Sequence, residues 1–261
     1  MSPASTPRTP AALLDAALLR DPARPLITYY DDAGDERVEL SVTTFANWVA
    51  KTANLLRDDL GADAGTTVAL HLPAHWQAAV WLGACWALGA VAAPGAERAD
   101  VAVVGPDQVG EPPAAAEVVV LGLGPLGLPR PGVPRPAPPS IDYDLEIRSH
   151  GDRFVAGRPV DPQAEAMRTA EGSLSGAALV DRAARAADDW HLTRGDRLLT
   201  THTLDTAHAV LAGLLVPLAA DVTAVLCRNL APERLAARVA SENVTAATGL
   251  PTSAMSGLRA I

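Results

Sequence analysis

The sequence predicts an α/β protein made of two related halves, and three observations carry that expectation. Helical segments alternate with short apolar strands along the 261 residues, the pattern of parallel sheets covered on both faces. Two stretches, LGADAGTTVALHL and WHLTRGDRLLTTH, share one plan of helix end, tight glycine turn and strand, so Gly65 and Gly195 mark equivalent places in a pseudo-repeat. Between the halves, residues 105–140 hold ten of the 22 prolines and read as a connecting segment. The expected division is a first α/β subdomain over 1–104, a proline-rich connection with short strands over 105–160, and a second α/β subdomain over 161–261.

Taken in order, LITYY-DDAGDE-RVELS reads as a hairpin with a polar turn. SVTTFANWVAKTANLLRDDLG is an amphipathic helix, with Phe45, Trp48, Val49, Leu55 and Leu56 at helical spacing and Gly61 as its stop. TTVALHL is a strand, the segment from Trp76 to Leu88 a buried helix, and VAVV (101–104) a further strand. EVVVL is a short strand inside the proline-rich connection. The second half offers a helix over 177–190, a strand within RGDRLLTTHT and an apolar helix around AHAVLAGLLVPLAA. The strand DVTAVLC, a helix starting near Pro232 and the strand VTAAT complete it.

Composition excludes several classes of function. The net charge is −9, Lys51 is the only lysine and the arginines are scattered, so no patch exists to hold a nucleic-acid backbone. Residues 64–96 carry no formal charge and resemble a membrane span. Pro73, Gly89 and Pro94 interrupt them, however, and leave a helix too short to cross a bilayer. Cys85 and Cys227 lie in separate apolar runs, as packed thiols of a cytoplasmic protein do, and MSPASTPRTP lacks a secretory apolar core. GLGPLG supplies a literal G-x-G-x-x-G at Gly122, Gly124 and Gly127. Pro125, Pro129 and Pro131 deny it the following helix that a dinucleotide site needs.

In order and spacing, these landmarks resemble the adenylate-forming superfamily of acyl-CoA synthetases and adenylation domains. The stretch from ARPLITYYDDAGDERVEL to WLGACWALGAVAAP is similar to the opening of those enzymes. LTRGDRLLTT, VLAGLLVPLAADVTAVL and ENVTAATGLPTSAM are similar to the part after their phosphate loop. The resemblance implies two doubly wound α/β subdomains with a ligand cleft between them, as in the N-terminal domain of such enzymes, the second one truncated. It also implies that the magnesium-binding glutamate, the ribose-binding aspartate and the domain with the catalytic lysine lie beyond the Gly-Leu-Pro-Thr landmark at 249–252.

The phosphate loop of that family reads Ser/Thr-Gly-Thr-Thr-Gly-x-Pro-Lys-Gly before a helix, and MRTAEGSLSGAA falls on it without a gap when the helix is anchored at ALVDRA. Gly172 and Gly176 then match family glycines. Arg168, Thr169 and Ala170 lie across the serine, glycine and threonine; Glu171 takes the second threonine, Leu174 the proline and Ser175 the lysine. A phosphate cradle works through free amides at a helix start, hydroxyls and a cation. Ser173 and Ser175 keep hydroxyls here, the cation is gone, and Glu171 puts a carboxylate among the anions. At about 4 Å and an effective dielectric near 20, that repulsion is roughly 4 kcal/mol.

The remaining candidates cluster in two places. Asp205 is expected to cap the second apolar helix, with Thr206 beside it and His208 turned to the cleft or the core, while His202 lies just upstream. Asp205 and Thr206 take the positions where the family has an aromatic-His pair shaping the acyl pocket. Gly249 and Pro251 complete the expected cleft, and no metal site is assigned. The leading expectation is a non-catalytic relative acting by ligand binding or protein interaction, with no cofactor. A ligase component using ATP/AMP and Mg, completed by a partner chain, is the alternative, and an acyl, AMP or CoA sensor a further one. Truncation is expected to bare an apolar sheet edge near residues 244–255, sealed by a homodimer contact or a protein partner.

Overall fold

The computed structural model describes residues 6–130, 132, 135–251, 254, 255 and 257–261. Helix α1 (Pro10–Arg20) opens on Thr9, whose hydroxyl accepts from the Ala12 N–H at 3.2 Å, with Pro10 at the first helical position where no N–H is needed. Strands β1 (Pro25–Asp31) and β2 (Glu36–Ser41) form the expected hairpin. Ser41 then caps α2 (Val42–Asp58) by accepting from the Thr44 N–H at 3.1 Å, and Phe45, Val49, Leu55 and Leu56 are its buried face. Next come β3 (Thr67–His71), α3 (Trp76–Leu88), β4 (Val91–Pro94), β5 (Val101–Val104), β6 (Glu117–Val120), β7 (Ile141–Asp142) and the single turn α4 (Tyr143–Glu146). The second half contributes β8 (Glu165–Thr169), β9 (Gly172–Ser175), α5 (Gly176–Asp189) and β10 (Arg197–Thr200). Helices α6 (Ala207–Val210) and α7 (Val216–Ala219) are joined by one π-helical turn, Leu211–Leu215, and β11 (Thr223–Arg228), α8 (Pro232–Ser241), β12 (Ala246–Thr248) and β13 (Arg259–Ala260) follow.

The pseudo-repeat has a physical counterpart. β3–α3–β4 and β10–α6/α7–β11 are parallel crossovers, each entered through a glycine with positive φ: 91° at Gly65 and 92° at Gly195. The Gly65 N–H reaches the Gly89 carbonyl at 3.0 Å, and the Gly195 N–H reaches Asp221 at 3.2 Å, so each turn is tied to the end of its own crossover helix.

The strands make two sheets, a six-stranded one ordered β13-β12-β10-β11-β1-β2 and a seven-stranded one ordered β7-β6-β5-β3-β4-β8-β9. The sheets do not follow the division at 104/105 and 160/161. The hairpin β1–β2 joins the second half's sheet through β11, in register from Ile27↔Ala224 to Asp31↔Arg228. Conversely β8–β9 joins the first half's sheet through β4. The two halves therefore exchange hairpins. Hydrophobic periodicity specifies which residues of a strand are buried but is silent on its neighbour.

One large core joins both sheets to α1, α2, α3, α5 and the α6/α7 helix. A smaller one, with Leu199, Val225 and Cys227, lies under α8 on the other face of the six-stranded sheet. Arg238 of α8 pairs with Asp32 at 2.5 Å, both side chains buried, and its guanidinium stacks 4.0 Å over the Tyr30 ring. The expected bare edge is corrected. β12 is covered by β13, a two-residue edge strand with exposed Arg259 and Ala260, while Val244, Ala246 and Ala247 are buried. GLGPLG forms a 3₁₀ turn at Pro125–Gly127, and its glycines serve packing. A Cβ would come within 2.4 Å of Asp144 Oδ2 at Gly122, 2.1 Å of the Leu128 carbonyl at Gly124 and 2.6 Å of Trp48 at Gly127. Among the described residues no helix is long and apolar enough to cross a membrane.

Asp144 on α4 is buried, and its Oδ2 accepts the Gly122 N–H at 3.0 Å while Oδ1 has no partner among the described residues. Burial pushes its pKa to about 6, opposed by the Gly122 hydrogen bond. Because the folded carboxyl holds its proton more tightly than the unfolded one, stability falls as pH rises from about 4 to about 6 and the cost persists above. Asp144→Asn keeps the acceptor without the charge. It is expected to raise stability by about 1–2 kcal/mol at pH 7.5 and to lose that advantage near pH 4, as measured by urea unfolding. Equal stabilities at pH 7.5 would refute the account.

Candidate functional site

The segment read as a degenerate phosphate loop is a β-hairpin. β8 and β9 pair antiparallel from Thr169↔Gly172, leaving only Ala170 and Glu171 as the turn. Gly172 has φ 126°, a value open to glycine, and lies in the hairpin strand, not in a cradle. Ser173 donates to Glu165 at 2.5 Å, and Arg168 is held by the same carboxylate at 2.5 and 2.9 Å. The start of α5 is equally committed. The Gly176 N–H bonds the Ala164 carbonyl at 3.3 Å, the Ala177 N–H bonds Pro162 at 2.7 Å, and the Ala178 N–H bonds Ser175 Oγ at 3.2 Å. The first three helical amides, which would have to face a phosphate, are taken within the chain. The residue-by-residue placement of Glu171, Gly172, Ser173, Ser175 and Gly176 on a loop is therefore corrected. The glycine and serine content that signals a loop is here a hairpin running into a Ser-capped helix.

A second group lies at the carboxyl ends of β10 and β12, where parallel sheets present their loops. His208, exposed on α6, has Nε2 3.1 Å from the Thr248 hydroxyl, and His202 has Nε2 3.4 Å from the same oxygen. The two rings are nearly perpendicular at 5.6 Å, and the Trp190 indole meets His208 edge-on at 5.4 Å. One hydroxyl has one proton, so Thr248 can donate to at most one of the two Nε2 atoms, and any other hydrogen bond between them runs from the imidazole to its oxygen. Burial lowers the His208 pKa and the neighbouring His202 lowers it further, while the Glu171 carboxylate acts in the opposite sense. The hairpin tip thus bears electrostatically on His208. Gly249, with φ 75°, closes this end: a Cβ there would lie 2.6 Å from Thr201 Oγ1, which itself donates to the Gly249 carbonyl at 2.7 Å. Pro251 is exposed beside it, and Thr252 of the 249–252 landmark lies outside the described residues.

Asp205 and Thr206 are not part of this pair. Thr206, not Asp205, caps α6, accepting from the Ala209 N–H at 3.2 Å. The exposed Asp205 lies with Thr203 on a separate cavity of about 300 Å³, whose far wall is Leu70, Pro73, Gly105 and Asp107 at the carboxyl ends of β3 and β5. Among the described residues no three His, Cys, Asp or Glu side chains gather to hold a metal ion. Trp190, Thr248 and the carbonyls of Pro162 and Ala164 are the participants that spacing did not reveal, because each arrives from a distant segment.

No protein-family model matches the chain. A Mycobacterium tuberculosis (strain ATCC 25618 / H37Rv) protein described as a TIGR03089 family protein is 42% identical over 249 residues, 92% of this chain and 98% of that relative. Among solved structures, a Mycobacterium tuberculosis fatty acyl CoA synthetase has a TM-score of 0.72 at 15% identity, covering 97% of this chain and 51% of its own. An acyl-CoA synthetase of Brucella canis gives 0.76 at 17%, covering 94% and 48%. The N-terminal domain of FACL13 from Mycobacterium tuberculosis gives 0.71 at 15%, covering 92% and 62%. The chain spans about half the length of the first two synthetases and has the fold of the N-terminal part of such proteins.

If Glu171 acts on the cleft as its position requires, Glu171→Gln moves the His208 titration midpoint further below that of free histidine. Proton NMR of the imidazole Cε1–H reads this directly, and an unchanged midpoint would separate the hairpin tip from the imidazole pair.

Proposed function

The chain belongs to the TIGR03089 family, and on that premise we propose that it is a non-catalytic relative of the adenylate-forming ligases that acts by binding a ligand or a protein. The observation that carries this reading is the start of α5, where Gly176, Ala177 and Ala178 already donate within the chain. The residues at this helix start do not suit ATP and magnesium. A triphosphate at this helix would have to displace three hydrogen bonds and accept the Glu171 carboxylate as a neighbour. The only lysine, Lys51, donates to the His150 carbonyl at 2.5 Å and lies on α2.

Ligand binding is supported by the cleft around His202, His208 and Thr248, where the exposed His208 is backed by the Trp190 ring. Cys85 and Cys227 are free and buried, which supports our reading of a protein that works in a reducing compartment such as the cytoplasm.

Titration calorimetry with MgATP is expected to give no saturable heat up to millimolar nucleotide, and pyrophosphate exchange with fatty and aryl acids no signal above a protein-free control. A micromolar Kd, equivalent to about −8 kcal/mol, would overturn the reading, as would exchange activity that appears once a partner chain is added.

A further inference from the structure

Helices α1, α2 and α3 surround a cavity of about 230 Å³ that shares no residue with the imidazole cleft. Leu14 of α1, Phe45 and Val49 of α2, Trp86 of α3, Leu214 and Leu218 of α7 line its inner wall, and all six are buried. Leu214 enters from the π-helical turn Leu211–Leu215, a rare irregularity that gathers at functional sites. The wall between α2 and α3 is closed because position 83 has no side chain: a Cβ on Gly83 would lie 2.8 Å from Val49 Cγ2. The indole N–H of Trp86 is the one polar side-chain group of these six residues, and it already donates to the Ala166 carbonyl at 2.9 Å. The other polar side chains on the lining stand at the mouth, where Asp15 and Asp152 are exposed and Asn47 is half-buried.

Such a lining decides against most occupants. A water molecule held inside a protein needs about two to four polar partners, and the inner wall offers it none. A charged group would be stripped of its hydration against carbon, and no lysine, arginine or histidine lines the cavity to receive an anion. Apolar surface, by contrast, gains free energy when it leaves water for such a wall. We propose that the cavity binds a small uncharged molecule with an apolar body, an alkyl chain or a single ring that fills the space among α1, α2 and α3 and keeps any hydroxyl or amide at the mouth. Apolar cavities of roughly 150 Å³ already take a benzene ring, and drug-sized pockets begin at roughly 300 Å³. At about 230 Å³ the cavity suits one ring with a short tail, or a short alkyl chain, and excludes a long one. This site does not rest on the reading of the α5 start and survives or fails separately.

The test uses the full chain, the straight-chain alcohols from 1-butanol to 1-decanol, and hexanoate. Calorimetry and tryptophan fluorescence report binding. The alcohols are expected to bind saturably, tightening about fourfold with each methylene that enters the cavity and levelling off before 1-decanol, once the space is full. Hexanoate should bind at least about tenfold more weakly than 1-hexanol, because its charge must lose hydration or stop at the mouth. Ala46→Phe from α2 and Ala87→Phe from α3, each with an unchanged circular dichroism spectrum, fill the cavity and should abolish 1-hexanol binding. Leu14→Ala, which deepens it, should move the levelling-off to a longer alcohol. The absence of saturable binding would overturn the proposal, as would an affinity that keeps rising through 1-decanol, the behaviour of an open apolar surface. So would hexanoate binding as tightly as 1-hexanol, 1-hexanol binding left intact by both phenylalanine variants, or a levelling-off that Leu14→Ala leaves in place.

Discussion

The insertion of β1 between β11 and β2 is the constraint on which the rest of the molecule depends, because it makes residues 25–41 part of a sheet whose other strands come from the last third of the chain. Leu26, Ile27 and Tyr29 are fully buried, so this strand cannot sit at an edge without exposing an apolar face to water. Polar ties fix its register at both ends. The Thr223 hydroxyl donates to the Pro25 carbonyl at 2.7 Å, and Arg24 donates to the carbonyls of Val222 at 2.5 Å and Pro217 at 3.2 Å. At the other end, Asn229 donates to Asp31 at 2.8 Å, and Asp32 accepts from Arg238 and from the Ala231 N–H at 2.7 Å. Docking of α8 is thereby tied to the hairpin turn near the chain start.

The reciprocal exchange explains the site. Since β8 pairs with β4, the β8–β9 turn is carried by one sheet while His202 follows a strand of the other, and the Glu171 carboxylate raises the His208 pKa from across that junction. The same pairing positions the Pro162 and Ala164 carbonyls to accept the first amides of α5. Each such bond contributes about 0.5–1.5 kcal/mol when made and costs more if a buried partner is stranded, so the helix start is a closed terminus held by the hairpin before it.

Local chemistry was legible and long-range pairing was not. Ser41 before the Phe45–Val49–Leu56 stripe, the stop beyond α2 and the positive-φ glycines 65 and 195 are signals contained in a few residues, and the elements appear where they point. The β8–β9 hairpin hid because its turn, Ala170-Glu171, lacks the Asn-Gly or Asp-Gly that announces a tight hairpin, while Gly172, Ser173 and Ser175 have the composition of a loop. The cap of α6 went to Thr206 because two adjacent residues, Asp205 and Thr206, both suit the role and only the exit angle of the chain decides. Thr248 and Trp190 reached His208 from 40 and 18 residues away, distances no spacing rule covers.

Charge placement argues most strongly about what the molecule can hold. Among the described residues, fourteen arginines lie within ion-pair distance of the chain's own acids, among them Arg197 and Arg37 around Glu242, Arg130 on Glu36 and Arg168 on Glu165. An anionic ligand at any of these places must first break an existing pair, and for the buried ones that strands a desolvated carboxylate. Other acids have no such pair among the described residues, among them Glu171 at the hairpin tip and Asp205 on the cavity between the sheets. A net charge of −9 works against the long-range attraction of any polyanion to this surface.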